Sequence, residues 1–328
     1  MRCIIKKRLL SISIAVILVL SLTGCAGGEI PAAFSPDMPG MNFNINSELH
    51  EVSFVTPFAE NLCVNEANVE NEKIPDDPEV EAAGLFDLSS KETLYVKNAF
   101  TPMHPASLTK VMTALVALKD ADTTELLTAS ANVKINEKGA QLAKINEGDT
   151  MSLDQALHIL LMYSANDVAV MIAEGVSGSV EAFCQRMNEE ARALGATHTN
   201  FVNPNGLTGE SHLTCAYDLY LIFNEAVKYD LFNEIISMPS YSTVYHTANG
   251  TEKEFSCGNT NGYLSGTYAT PPGITVIGGK TGTTAAAGHC LILYSKDTLG
   301  NPYISVVLSA DSSDSLYRDM SNLLEAVY

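Results

Sequence analysis

The stretch HPASLTKVMTALVAL, residues 104–118, predicts a helix that is apolar almost all the way round. It sets Ser107 three residues before Lys110, and residues three apart share one face of a helix. A serine hydroxyl becomes a strong nucleophile when an adjacent base takes its proton, and a lysine can be that base if burial lowers its pKa. Average composition also produces a Ser-x-x-Lys by chance about once in a chain of this length. The pair therefore needs partners elsewhere in the chain before it indicates chemistry.

Two further short motifs supply such partners. Ser164 and Asn166 stand in the break after an apolar-patterned helix, and Lys280, Thr281 and Gly282 end a β-branched run. Each motif alone is common and has a structural reading, since serine and asparagine favour caps and turns. Their joint presence, in this order, matches a pattern of serine enzymes with an adjacent lysine.

The three motifs and their surroundings resemble the serine D-Ala-D-Ala carboxypeptidases, the low-molecular-weight penicillin-binding proteins. The resemblance covers about residues 84–328 and includes the stretches NFVNPNGL, GNTN and KTGTTAAAGHCLILYS. It implies a β-lactamase/transpeptidase-like fold of the α+β or α/β class. In that fold an antiparallel sheet is flanked by helices, with a mostly helical subdomain.

The resemblance also implies roles for the motif residues. Ser107 would attack the carbonyl between two D-alanines, Lys110 would accept its proton, and Ser164 would relay a proton to the leaving amine. Lys280 and Thr281 suit the terminal carboxylate of the substrate. The backbone N–H groups of Ser107 and Thr283 would form the oxyanion hole. The residues that would bind the substrate are Asn166, Lys280, Thr281, Gly282 and Thr283.

Two other functions share parts of this pattern. A class A-like β-lactamase would carry Glu-x-x-Leu-Asn between the second and third motifs, and NFVNPNGL stands in that region instead. A non-catalytic penicillin-binding sensor is the second alternative, although the central serines and lysines are all present. The partners implied are peptidoglycan stem peptides, with β-lactam antibiotics as covalent inhibitors.

The N-terminal residues predict export and a membrane anchor. Residues 1–24 combine a basic start with a short apolar run, which is typical of a signal peptide. The segment LTGC resembles the lipobox of bacterial lipoproteins and implies a lipid on Cys25, hence an extracytoplasmic membrane lipoprotein. Residues 25–82 are rich in Pro, Gly, Asn and acidic residues and predict a tether. We expect the catalytic domain at 83–328, with no C-terminal β-domain.

Composition excludes some function classes. A net charge of −19 argues against nucleic-acid binding, which needs a basic surface. With 328 residues and 46% hydrophobic content, the chain can bury a large core. We expect a single sheet assembled from distant segments, no disulfide framework, no metal and no cofactor. The following histidines lack metal-ligand spacing and are interpreted as structural or surface residues: His104, His158, His198, His212, His246 and His289.

Overall fold

The computed structural model describes residues 59–328, so the predicted signal peptide and Cys25 lie outside the described residues. The strands in chain order are β1 (Val80–Asp87), β2 (Glu92–Lys97), β3 (Leu126–Thr128), β4 (Thr150–Ser152), β5 (Ser240–His246), β6 (Glu252–Gly258), β7 (Thr275–Thr284), β8 (Gly288–Lys296) and β9 (Pro302–Ala310). The helices are α1 (Thr109–Asp120), α2 (Leu153–His158), α3 (Asn166–Ser177), α4 (Val180–Ala193), α5 (Ala216–Ala226), α6 (Asp230–Ser237) and α7 (Ser313–Glu325).

Five strands form an antiparallel sheet in the order β2-β1-β9-β8-β7, joining both ends of the described chain. Side chains of a strand alternate between faces, and both faces of this sheet are covered. On β8, Leu291 and Leu293 share a core with Met320 of α7, whereas Ile292 belongs to the core around Leu115 of α1. This packing leaves the free edge of β7 beside the N-terminal end of α1.

The expected fold class is confirmed, but the prediction of a single sheet is wrong. A second antiparallel sheet has the order β3-β4-β5-β6. Its first two strands are three residues long, and its last two strands carry mostly polar side chains on their exposed face. Such short and polar strands give only a weak apolar pattern in the sequence.

The predicted boundary at residues 82/83 also differs from the structure. Cys63 is 1% exposed within the larger core, and Ile74 is buried in the smaller one. Val69 and Val96 exchange two backbone hydrogen bonds of 2.9 Å. The end of the expected tether therefore packs on the domain, because a few apolar side chains suffice once a folded surface is present.

Within residues 59–328, no helix is both long enough and apolar enough to cross a membrane. The five cysteines of the same range carry free thiols.

Candidate active site

A cavity of about 620 Å³ lies between the start of α1, the turn before α3 and the free edge of β7. The three predicted motifs meet at this cleft. Its lining includes the following predicted site residues: Ser107, Ser164, Asn166, Thr281, Gly282 and Thr283. The two predicted lysines, Lys110 and Lys280, are buried and hydrogen-bond to serines in that lining.

Ser107 lies in a 3-10 turn, Ala106–Leu108, that runs directly into α1. The preceding residue, Ala106, has a φ of 46°, in the left-handed region that non-glycine residues rarely adopt. A Cβ at Gly206 would lie 1.9 Å from the Ala106 carbonyl oxygen, so only glycine fits against this turn. The apolar helix and this contact hold the Ser107 hydroxyl at the cleft wall.

Lys110 is the fully buried partner of Ser107. Its Nζ donates hydrogen bonds to Ser107 Oγ at 2.9 Å, to Asn166 Oδ1 at 2.8 Å and to the backbone oxygen of Asn205. Burial lowers the pKa of Lys110 well below its ordinary value, and repulsion from Lys280 lowers it further. A lysine with a lowered pKa next to a serine hydroxyl can accept its proton.

Asn205 belongs to the stretch NFVNPNGL, to which the sequence analysis gave no chemical role. The Asn203 side chain shapes this loop, because its Oδ1 accepts the backbone N–H groups of Asn205 and Gly206. The loop thereby aims the Asn205 carbonyl at Lys110. A backbone acceptor cannot be recognised from residue types. The turn-forming sequence Asn-Pro-Asn-Gly does, however, indicate a tight loop at this point.

Ser164 follows α2 and a π-helical turn, Ile159–Tyr163, and its φ of 65° and ψ of 34° are left-handed. Strained conformations of this kind concentrate at functional sites. Lys280 donates to Ser164 Oγ at 3.0 Å and to the Thr281 carbonyl at 2.8 Å. Burial lowers the pKa of Lys280 to about 7. The expected role of Lys280 at a substrate carboxylate stays a prediction, since two of its three N–H donors are used on Ser164 and Thr281.

The third motif brings β7 against the start of α1. A Cβ at Gly282 would lie 2.9 Å from the Ser107 backbone nitrogen, so glycine permits this close approach. The Thr281 hydroxyl donates to the Thr260 hydroxyl at 2.6 Å, and Thr260 belongs to the stretch GNTN. The sequence alone indicates no function for Thr260.

Asp167 fixes the loop that forms another wall of the cleft. Its carboxylate accepts the backbone N–H groups of Ala143, Ile145 and Val168. Burial raises the pKa of Asp167, although these hydrogen bonds oppose the rise. Asn166 adds a backbone contact, since its N–H donates to the Gln141 carbonyl at 2.8 Å. Sequence reasoning missed Asp167 because one carboxylate after a motif has an ordinary reading as a helix-start residue.

Three side chains that could ligate a metal ion lie close together outside this cleft. Atoms of His198, Cys215 and Asp218 lie within 4.8 Å of one another. Asp218 already accepts hydrogen bonds from the His198 backbone and the Thr199 hydroxyl, both at 2.7 Å. Burial raises the pKa of the Cys215 thiol, and that side chain caps α5 by accepting from the Asp218 N–H. These contacts explain the group as a helix cap that anchors a loop.

Comparison with solved structures identifies the class to which this fold belongs. The crystal structure of the Streptomyces K15 DD-transpeptidase matches with a TM-score of 0.71 and 25% sequence identity. The match covers 77% of this chain and 98% of that chain. The described strands and helices therefore have the DD-peptidase fold of the penicillin-binding proteins.

Comparison with protein sequences identifies the family. The family model described as D-alanyl-D-alanine carboxypeptidase matches residues 69–312. D-alanyl-D-alanine carboxypeptidase DacF of Bacillus subtilis is 32% identical over 257 residues, covering 76% of this chain and 62% of that protein. DacB2 of Mycobacterium tuberculosis is 33% identical over 216 residues, covering 65% of this chain and 69% of that protein. The chain belongs to the D-alanyl-D-alanine carboxypeptidase family. It spans about three fifths of the length of the first of these relatives.

Proposed function

We propose that this chain is a serine-type D-Ala-D-Ala carboxypeptidase that removes the terminal D-alanine from peptidoglycan pentapeptide stems. The observation that carries the proposal is the 2.9 Å contact between Lys110 Nζ and Ser107 Oγ at the wall of the cleft. The names of the relatives support the substrate class. The same serine would react covalently with β-lactam antibiotics, which are cyclic amides with a carboxylate.

In the first step, Ser107 Oγ bonds to the carbonyl carbon between the two D-alanines. Lys110 in its neutral form takes the hydroxyl proton, which its lowered pKa supports. The carbon–nitrogen bond then breaks, and the departing amine takes a proton from Ser164. Ser164 would regain its proton from the protonated Lys110, so that the proton taken from Ser107 reaches the amine and Lys110 is neutral again. Lys280 holds the Ser164 hydroxyl in place. Water hydrolyses the resulting ester, which releases the shortened peptide and restores Ser107.

The developing oxyanion would lie between the backbone N–H groups of Ser107 and Thr283. Support for this placement comes from the contact between Gly282 and the Ser107 nitrogen, which brings the two segments together. The substrate backbone would lie along the free edge of β7 as an added strand. Asn166, whose carboxamide oxygen accepts from Lys110, keeps its amide NH₂ group for a substrate carbonyl.

We also propose that the protein acts outside the cytoplasm as a membrane lipoprotein. The proposal rests on the sequence of residues 1–24 and on LTGC, and Cys25 would carry the lipid. Replacing Cys25 with alanine should move the protein out of the membrane fraction or leave it unprocessed. If the variant is cleaved and stays membrane-bound as before, the lipid assignment fails.

One experiment separates this function from the two alternatives. The purified protein is treated with a fluorescent penicillin and with a peptide ending in D-Ala-D-Ala. A carboxypeptidase is acylated, holds the label for long times and releases D-alanine from the peptide. Rapid turnover of penicillin without D-alanine release would indicate a β-lactamase. Stable labelling without D-alanine release would indicate a sensor.

A further inference from the structure

The proposed substrate ends in a carboxylate, and its cationic partner in the cleft is not evident. Charge-assisted hydrogen bonds to carboxylates are about twice as strong as neutral ones, so a cleft that selects a free C-terminus should provide such a donor. None of the three arginines among residues 59–328 lines the cavity. The cationic or titratable nitrogen groups in its described lining are those of Lys138 and His289.

The two buried lysines use most of their N–H donors on other groups. Lys280 is 1% exposed and donates to Ser164 Oγ and to the Thr281 carbonyl. Lys110 donates to three oxygen atoms, one of which belongs to Ser107. Lys110 therefore has no N–H donor left, and the one donor that Lys280 keeps belongs to a side chain that is 1% exposed.

His289 lies on β8, beside the end of β7 that follows Gly282. It pairs with Thr283 in the register between β7 and β8, and it lines the cavity. Its Nδ1 lies 3.4 Å from the Thr283 hydroxyl and 3.3 Å from the Ser313 hydroxyl. No residue of the described range 59–328 hydrogen-bonds to its Nε2, so this nitrogen can donate to a ligand.

The size of the leaving group points to the same place. The leaving D-alanine is a single residue, so its carboxylate lies within one residue spacing, about 3.8 Å, of the scissile peptide. A scissile carbonyl at the N–H groups of Ser107 and Thr283 therefore puts the carboxylate close to Thr283. Lys138 is exposed on the segment that contacts Asn166, which belongs to a different wall of the cleft.

We propose that His289 is a specificity-determining residue that receives the terminal carboxylate of the substrate, assisted by the hydroxyls of Thr283 and Ser313. This inference rests on the proposed function of the cleft. It changes the interpretation of His289 as a structural or surface histidine, because the sequence showed no link between this residue and the Ser107 motif. It adds a side chain on the neighbouring strand to the carboxylate role expected of Lys280, which stays a prediction.

The test compares two peptides that differ only at the C-terminus: one ends in a free D-Ala-D-Ala carboxylate and the other in its amide. The wild-type enzyme should prefer the carboxylate in kcat/KM. His289→Ala should lower kcat/KM for the carboxylate peptide by about tenfold or more, the loss expected when a hydrogen bond to a charged group is removed, and should leave the amide peptide nearly unchanged. His289→Arg should restore the preference.

Lys138→Ala is the matched control, since it removes a cation from another wall of the same cavity. It should keep the preference for the carboxylate. The inference is overturned if His289→Ala slows both peptides equally, or if Lys138→Ala alone removes the preference.

A second measurement does not depend on D-alanine release. The acylation rates of Ser107 by a penicillin and by its methyl ester are compared in the same variants. If the wild type releases no D-alanine, the carboxypeptidase assignment fails, while the penicillin pair still reports on His289. His289→Ala should lose the preference for the acid over the ester, and an unchanged preference would contradict the inference.

Discussion

The two ends of helix α1 place the same residue type in opposite environments. Lys110, in the first turn, is fully buried among uncharged oxygen atoms, and burial together with Lys280 lowers its pKa. Lys119, in the last turn, lies 2.6 Å from Glu190 and 3.1 Å from Glu225. Burial alone would lower the pKa of Lys119, but the hydrogen bonds to these two glutamates raise it. The partners, and not the helix, decide whether a lysine is a base or a fixed cation.

This difference has an energetic side. A buried ammonium without a carboxylate partner destabilises the folded state unless it loses its proton or gains hydrogen bonds. The apolar residues between the two lysines, among them Met112 and Leu115, are fully buried and stabilise the helix in its place. The core packing of α1 therefore offsets the unfavourable placement of Lys110.

The largest effect is expected at the residue that Lys110 contacts. Ser107→Ala should abolish both penicillin labelling and D-alanine release, because it removes the oxygen that becomes acylated. The thermal unfolding midpoint should stay close to that of the wild type, since only one hydroxyl at the cleft wall is lost. Undiminished D-alanine release by a folded Ser107→Ala protein would contradict the assignment of the nucleophile.

The same substitution at both ends of α1 tests the comparison directly. Lys110→Arg keeps a positive charge but cannot release a proton near neutral pH, so the acylation rate should fall by about a hundredfold or more. The Lys119→Arg variant should be acylated at the wild-type rate, because position 119 requires only a cation beside Glu190 and Glu225. The measurement is the rate of acylation against penicillin concentration.

The pH dependence of acylation tests whether Lys110 acts as a base. A base acts in its neutral form, so the wild-type acylation rate should rise with pH while Lys110 loses its proton. Because the pKa of Lys110 is lowered, this rise should be complete well below pH 10.5, the ordinary lysine value. A rate that falls over this range, or a Lys110→Arg enzyme as fast as the wild type, would leave Lys110 as a structural charge.

The sequence predicted those parts of the site that rest on side chains in local motifs. It predicted the apolar helix α1 and the three motifs that meet at the cleft. It did not predict the Asn205 carbonyl at Lys110, because a backbone atom has no residue signature. The packing of Cys63 and Val69 depends on a surface built from distant strands, which composition cannot show.

A smaller effect is expected from Asp167, whose charge also attracts Lys110 and partly raises its pKa. Asp167→Asn should lower kcat/KM for a D-Ala-D-Ala peptide by about tenfold and the free energy of unfolding by about 1–3 kcal/mol. An amide NH₂ group would replace an acceptor facing buried backbone N–H groups.

The pH dependence distinguishes this loss from general damage. Burial raises the pKa of Asp167, so its protonated form is favoured by folding, and its ionisation reduces stability as pH rises through that pKa. Asp167→Asn cannot ionise and should lack this component in a denaturant titration carried out at several pH values. Identical pH dependence in wild type and variant would show that Asp167 does not titrate in this way.

The smallest effect on activity is expected at the far end of α1. Lys119→Met keeps the apolar stem but leaves Glu190 with Arg186 as its remaining cation, so the free energy of unfolding should fall by about 1 kcal/mol. The acylation rate should not change. Because the pKa of Lys119 is raised on folding, its stabilising contribution is complete below the ordinary value of 10.5 and is lost as pH rises through the raised value. The free energies of unfolding of wild type and variant should therefore converge in strongly alkaline denaturant titrations.

Lys228→Met is the control, because Lys228 is more exposed and pairs with Glu225 alone, and it should change stability by only a few tenths of a kcal/mol. A Lys119→Met protein that loses acylation at unchanged stability would show that the two ends of α1 are coupled, and the contrast between a base and a fixed cation on one helix would no longer hold.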